Sequence, residues 1–380
     1  MNDSLYIDSL REFPSLSSIL HQFVHTLAYG DAISSEAITI KRILNEEGIQ
    51  SEIYSLNIDP RHKQLAKHVG DFSADENPAV LLHYSIASPL NELFLSLNQC
   101  KRIVLYHNLT PERWFAPYNF RVVEDLKKAR LGLESVVKAA DIVLGDSGYN
   151  LIELAPFLKQ PPLRQPCKVF PLTLDQTKWD IQSNQGILQV LKGHGGVNIL
   201  SVGRVAPNKC LEDVIKCFYF YHHKINKNSR LWLTGSDTDT EIYSFELKEL
   251  ILNLGLGNVA KLVGPVADSE LKAFYEASDL YLCMSEHEGF CVPLIEAMHF
   301  SLPLIAFDSC AVAETVGSGG LVVTQKQHAQ IAELMDQVLT RTEISSKLIE
   351  NAKTELSRFS LEKFRTNLHS EILEPLKSLN

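Results

Sequence analysis

The sequence predicts an α/β protein built from two doubly wound lobes that face each other across a cleft. A chain of 380 residues with 45% hydrophobic content exceeds what one core organises and suits two domains of ordinary size. Along the first half, short apolar runs alternate with stretches of helical period, the pattern of βαβ units. A second such series follows a polar stretch, and its short, nearly all-apolar strands suit a parallel sheet covered on both faces.

Taken in order, the candidate strands of the first lobe lie at 23–27, 52–56, 79–84, 102–106, 142–145 and 168–172. Between the first two, Ser34 and Ser35 can cap a helix on which Ala37, Ile40, Ile43 and Leu44 share a face, and Gly48 can end it. A second helix, about 122–139, leads into the strand that ends at Asp146. Pro161-Pro162 and the aperiodic polar stretch 173–186 mark a crossing between lobes. The second series places strands at 198–203, 230–235, 260–264, 280–284, 304–307 and 320–323, with helices such as 211–221, 269–277 and 293–300 between them. The expected domains are Rossmann-like units over 1–175 and 176–360. A closing helix over about 361–378 sets Leu361, Phe364, Leu368 and Ile372 on one face, with Pro375 as a kink, and can pack back on the first lobe.

Composition removes several classes of function. The formal net charge of -10 repels a polyanion, and no basic arm offers nucleic acid a footing. No run of about 18 consecutive apolar residues is present. The start Met1-Asn2-Asp3-Ser4 lacks the basic-then-apolar layout of a secretory signal, so the expectation is a cytoplasmic protein with at most peripheral membrane contact. The 7 cysteines include no C-x-x-C pair, which predicts buried thiols in a reducing compartment rather than a disulfide frame or zinc knuckle.

In doubly wound sheets ligands bind at the carboxyl ends of strands, and that is where chemistry-bearing residues are sought. The strand at 198–203 runs into Arg204, and Lys209 stands just before a helix starting near Leu211. Two cations beside a helix N-terminus, where free N–H groups and the macrodipole already favour an anion, suit a diphosphate. Downstream, Glu288 and Glu296 bracket Gly289, which permits close backbone approach to a ligand, and Pro293, which suits a first helical turn. Glu288 then lies in a loop and Glu296 in the early helix.

The full string Glu288-Gly-Phe-Cys-Val-Pro-Leu-Ile-Glu296-Ala-Met, preceded by Gly264-Pro-Val-Ala-Asp-Ser-Glu-Leu271, closely resembles the donor-site signature of family 4 retaining glycosyltransferases, which have the two-lobed GT-B architecture. The resemblance extends to Val202-Gly-Arg-Val-Ala-Pro-Asn-Lys209 and to Ala311-Val-Ala-Glu-Thr-Val-Gly317. It implies that Arg204 and Lys209, beside Gly203, neutralise a donor diphosphate and the charge that grows on the leaving nucleotide. It implies also that Glu296 accepts hydrogen bonds from the ribose. Glu288, with the backbone of Gly289, Phe290, Cys291 and Val292, would hold the transferred sugar and a phosphate oxygen, and the turn at Val263 and Gly264 would face the base. The family usually has a glycine directly after the lysine, where this chain has Cys210.

In the first half, Ala28-Tyr29-Gly30-Asp31-Ala32 occupies the place of a glycine-rich loop near the donor phosphates. Only one glycine is present, and Asp31 must point elsewhere if it is not to repel phosphate. His107, in Leu105-Tyr-His-Asn-Leu-Thr-Pro111, stands where the family positions a histidine that touches the transferred sugar. Asp146-Ser147-Gly148-Tyr149-Asn150 resembles the segment before a lobe-closing helix, with Ser147 and Asn150 as cap or turn residues.

The implied reaction moves a hexose-type sugar from a UDP- or GDP-linked donor to a glycan, lipid-linked, protein or small-molecule acceptor. No cofactor and no metal are expected, because cationic side chains supply the charge and the sequence shows no metal-ligand cluster. If Glu288 grips hydroxyls, no carboxylate sits beneath the anomeric carbon for a double displacement, and retention is expected through attack on the face the leaving group departs from. A Rossmann-type dehydrogenase would need G-x-G-x-x-G after a strand, which no segment supplies. A non-catalytic sugar-nucleotide binder or scaffold subunit stays as the alternative.

Overall fold

Runs rich in Val, Ile and Leu, each followed by an amphipathic helix, assemble into two all-parallel sheets in the computed structural model, which describes residues 19–75, 78–159 and 165–379. Pro161-Pro162 lies outside the described residues. The first sheet contains β1 (Leu20–Leu27), β2 (Ile53–Ile58), β3 (Ala66–His68), β4 (Ala79–Tyr84), β5 (Arg102–Tyr106), β6 (Ile142–Gly145) and β7 (Cys167–Val169), in the order β3-β2-β1-β4-β5-β6-β7. Its helices are α1 (Ala32–Glu46), α2 (Pro89–Ser96), α3 (Phe120–Ala139) and α4 (Gly148–Leu154). The second sheet contains β8 (Val197–Val202), β9 (Ser229–Thr234), β10 (Ala260–Gly264), β11 (Leu280–Cys283), β12 (Leu304–Phe307) and β13 (Leu321–Val323), in the order β10-β9-β8-β11-β12-β13. Helices α5 (Gln185–Gly193), α6 (Leu211–Phe220), α7 (Glu241–Asn253), α8 (Asp268–Ala277), α9 (Val292–His299), α10 (Val312–Val316), α11 (His328–Thr340) and α12 (Thr342–Glu355) accompany it.

The continuous apolar strands are explained by burial on both faces. In β5, Val104 and Tyr106 pack with α2 and α3, while Ile103 and Leu105 point the other way onto Ile40, Ile43 and Leu44 of α1. That second face also receives Phe364, Leu368, Ile372 and Leu376 from α13 (Leu361–Leu368) and α14 (Glu374–Ser378), so the closing helix packs on the first sheet. Between α13 and α14 the chain widens into a π turn, His369–Leu373, just before Pro375. Proline has no N–H for the carbonyl one turn back, and the irregularity falls where that bond is missing. Two strands of chain cross between lobes side by side: Leu174 N–H and the Thr173 hydroxyl both donate to the carbonyl of Phe359, at 2.9 and 3.0 Å.

One expected cap is corrected. Neither Ser34 nor Ser35 begins α1; the N-cap is Asp31, whose carboxylate accepts from the Ser34 N–H and hydroxyl, both at 2.9 Å. A carboxylate at this position satisfies an orphan N–H and suits the helix dipole better than a hydroxyl. No helix among the described residues is long and apolar enough to cross a membrane.

Candidate active site

Each sheet reverses its strand order once, at β1/β4 and at β8/β11, and ligands of doubly wound sheets settle at such switch points. The loops after β1, β8 and β11 carry Gly30 and Asp31, Gly203 and Arg204, and Glu288. A cleft between the lobes is lined by Gly30, Asp31, Ala32 and Glu36 from the first, Leu174 and Lys178 from the crossing, and Gly203, Val292, Pro293 and Glu296 from the second.

On the second lobe, β8 ends at Val202, just before Gly203, and a single turn, Pro207–Lys209, carries the lysine to the start of α6. Lys209 Nζ lies 2.7 and 2.8 Å from the two oxygens of Glu288, forming a forked ion pair. Burial works against the lysine's charge, but the neighbouring Glu288 carboxylate outweighs it and raises the pKa. Cys210 adopts a left-handed backbone, φ 48°, the region a glycine enters without cost, so the departure from the expected glycine leaves the loop conformation in place. Cys291 does the same at φ 77°, capping α9. Arg204 is exposed and donates to the Thr238 carbonyl at 3.3 Å, outside the lysine–glutamate pair.

Glu296 lies in the second turn of α9, buried, between two donors. Lys178 Nζ is 3.0 Å from one oxygen and the Tyr275 hydroxyl 2.9 Å from the other. Val263 is partly exposed and Gly264 closes the edge strand β10, where its carbonyl accepts from the Gly235 N–H at 3.0 Å. Gly235 is required there, because a Cβ would fall 1.8 Å from the Gly203 carbonyl oxygen. Gly289 is equally constrained: its Cβ would lie 2.7 Å from Asn108 Cβ of the first lobe.

The first lobe contributes a buried polar cluster. His107 Nδ1 faces Asp146 at 3.1 Å, and its Nε2 faces His83 Nδ1 at 2.9 Å. The His83 Nε2 in turn meets Gln22 Oε1 at 3.0 Å, while the Gln22 amide donates to the Ala37 carbonyl at 3.0 Å. The Gln22 oxygen therefore takes a proton from His83 Nε2, leaving His83 Nδ1 as an acceptor, so His107 Nε2 carries the shared proton. With its other nitrogen on Asp146, His107 holds two protons. Burial opposes that charge, yet Asp146, then Glu36 and Asp31, override it and hold the pKa up at about 9. Burial pushes the Glu36 and Asp146 carboxyls up, His107 opposing the rise, and depresses His83 strongly. The His107 side chain is only 2% exposed, so what this residue presents outward is main chain rather than imidazole.

Across the seam, His287 Nε2 meets Asn108 Oδ1 at 2.5 Å, and burial lowers its pKa to about 4. The Glu314 carboxylate accepts from the Gly148 N–H at 2.9 Å, capping α4 of the opposite lobe together with Ser147. Asn108 is held in turn by Asn150 and Glu153, both at 2.9 Å.

Residues 189–355 match the family described as Glycosyl transferases group 1, a span that contains Gly203, Arg204, Lys209, Glu288 and Glu296. This part of the chain is similar to the group 1 glycosyl transferases. Among relatives, mannosylfructose-phosphate synthase from Agrobacterium fabrum is 30% identical over 38% of this chain and 31% of its own length. D-inositol 3-phosphate glycosyltransferase from Kineococcus radiotolerans is 23% identical over 64% of each. The alignments reach from about a fifth to two fifths of the length of the first curated relatives. The fold is shared at full length: sucrose-phosphate synthase from Thermosynechococcus elongatus superposes with a TM-score of 0.76 at 15% identity, covering 95% of this chain and 100% of that one. HepE from Anabaena, in complex with UDP-glucose, gives 0.71 at 18% identity over 95% and 99%. The chain thus has the GT-B fold.

Against this group 1 framework, the expected donor residues divide into three sets. Gly203, Val292 and Glu296 line the cleft with Gly30 and Asp31; Lys209 and Glu288 pair beside Gly203; Arg204 sits on the loop after β8, and Val263 and Gly264 end the edge strand β10. Glu36, Lys178, Asn108 and His287 were not singled out by sequence. Lys178 lies on the aperiodic crossing, and Glu36 sits on a helix whose signal is its apolar face. His287 stands one residue before the recognised string, and its contact with Asn108 is visible only when the lobes meet.

Where no metal-ligand cluster was expected, three groups among the described residues bring potential ligand atoms within 4.8 Å: Glu36–His83–His107, Cys283–Glu288–Cys291 and Cys210–Asp213–Glu286. In two of them a lysine already neutralises the carboxylates, Lys209 on Glu288 and Lys326 on Asp213 and Glu286. In the third, the imidazoles are parallel within 2°, with ring centres 5.1 Å apart and nitrogen facing nitrogen, a geometry that suits a shared proton.

Proposed function

We propose that the protein is a retaining hexosyltransferase, drawing on a UDP- or GDP-linked sugar and serving glycan or glycoconjugate biosynthesis without a metal or organic cofactor. The observation that carries this reading is the forked Lys209–Glu288 pair beside Gly203, with Glu296 in the second turn of the helix that follows. A lysine has three protons, and Glu288 engages only part of that capacity, which leaves Lys209 able to donate to a phosphate oxygen as well. Arg204, exposed and held only to the Thr238 carbonyl, can swing onto the same diphosphate. Glu296, one oxygen on Lys178 and one on Tyr275, is oriented for ribose hydroxyls. The GT-B neighbour solved with UDP-glucose supports a nucleotide sugar as donor.

In this reading Lys209 and Arg204 take up charge as the glycosidic bond breaks, and the leaving phosphate oxygen accepts the proton of the attacking hydroxyl on the same face. The test is transfer followed by nuclear magnetic resonance of the first product anomer, with and without a chelator. Retained configuration and unchanged rate in chelator are expected; an inverted anomer overturns retention, and loss of rate overturns metal independence.

A further inference from the structure

Glu36 sits on the fifth residue of α1, 2% exposed, and neither of its carboxyl oxygens has a hydrogen-bond partner among the described residues. Native folds pair their buried polar groups, so a carboxyl left without a partner calls for a ligand to complete it. The imidazole nitrogens that face it are His107 Nε2 at 3.6 Å and His83 Nδ1 at 3.9 Å, beyond hydrogen-bond length and already engaged with each other. Gln22 is spent on His83 and Ala37. Yet Glu36 also lines the cleft, with Gly30 and Asp31 beside it and Gly203 and Glu296 across from it.

The chemistry of the missing partner follows from these neighbours. A phosphate would meet two acids, Glu36 and Asp31, and be repelled. A cation would meet the charge on His107. A neutral hydroxyl can donate to a carboxylate or accept from a carboxylic acid, so it fits whichever form Glu36 holds.

We propose that Glu36 forms a sugar-hydroxyl subsite on the first lobe of the cleft, facing the Glu296 wall. This rests on the transferase reading above. The hydroxyl belongs either to the transferred sugar or to the acceptor, and the two sources give different results.

Thermal shifts are measured for the full chain with UDP, GDP, UDP-glucose and GDP-mannose, in wild type, Glu36→Ala and Glu36→Gln. Kinetics use methyl glucoside and methyl mannoside as acceptor probes. If the transferred sugar is held, Glu36→Ala keeps the nucleotide shift but loses the extra shift of the nucleotide sugar. If the acceptor is held, both shifts persist while the acceptor KM rises at least tenfold with kcat changed less. In either case Glu36→Gln, which keeps a donor and an acceptor, recovers most of the loss, whereas a merely structural role would lower all shifts together. An Ala variant with the sugar increment and acceptor KM both unchanged, or with all shifts lowered together, overturns the subsite. A wild type that responds to no nucleotide or nucleotide sugar overturns the transferase reading, and the subsite with it.

Discussion

Lys209 and Glu288 are the residues on which the second lobe's electrostatics turn. Removing the lysine alone leaves a buried carboxylate without its partner, which costs far more than removing both. Lys209→Ala is expected to lose about 3 kcal/mol of stability and about a hundredfold in kcat. Unfolding in urea and a transfer assay check the two losses, and adding Glu288→Gln should restore much of the stability but none of the rate. His107 makes a second prediction at this scale. Its folded-state pKa of about 9 lies above the ordinary 6.5, so its stabilisation is complete below pH 6.5 and is lost as pH rises through 9. The midpoint temperature of wild type should therefore fall across that interval, by an equivalent of at most about 3 kcal/mol. His107→Gln should flatten the slope. The buried carboxyls of Glu36 and Asp146, also pushed up, extend the same decline toward lower pH.

At the level of elements, the loop after β8 keeps its shape through the backbone of its neighbour. Gly235 has φ 152° and no room for a Cβ against the Gly203 carbonyl. Gly235→Ala should destabilise the protein by about 3 kcal/mol and weaken nucleotide binding while leaving Lys209 in place, as thermal unfolding and calorimetry would show. Elements were also where the sequence could be read best. The strands at 79–84, 102–106, 142–145 and 304–307 match the observed bounds, because a strand buried on both faces announces itself as an apolar run, and the edge strand at 260–264 matches as well. The cap of α1 was missed because Ser34, Ser35 and Asp31 are all good caps, and only the fold shows that Asp31 turns toward the helix. The Glu288 to Glu296 segment was legible since local chain geometry fixes it. Lys178 and the His83–His107 pair were not, since their partners are 118 and 24 residues away, nor was Glu36, whose burial in the cleft periodicity does not record.

Over the whole molecule, function depends on holding two lobes around one cleft. The seam is polar: Asn108 to His287, the Tyr29 hydroxyl to Asp268, and Glu314 to the start of α4. Polar seams resemble transient interfaces more than cores, which suits lobes that open to exchange ligands. Glu314→Gln should cost about 1 kcal/mol and speed hydrogen exchange over residues 148–154, while nucleotide affinity, which the proposed function assigns to the second lobe, should stay unchanged. Slower exchange there, or loss of nucleotide binding, would contradict that division of labour.

In the proposed reading Lys209, beside Gly203 and paired with Glu288, grips a nucleoside diphosphate. Calorimetric titration of UDP and GDP into wild type and Lys209→Ala, in the presence of chelator, tests it most directly. One of the two nucleotides should bind wild type at one site per chain and bind the variant at least tenfold more weakly. Equal affinity for both proteins, or no binding of either nucleotide to wild type, would contradict it.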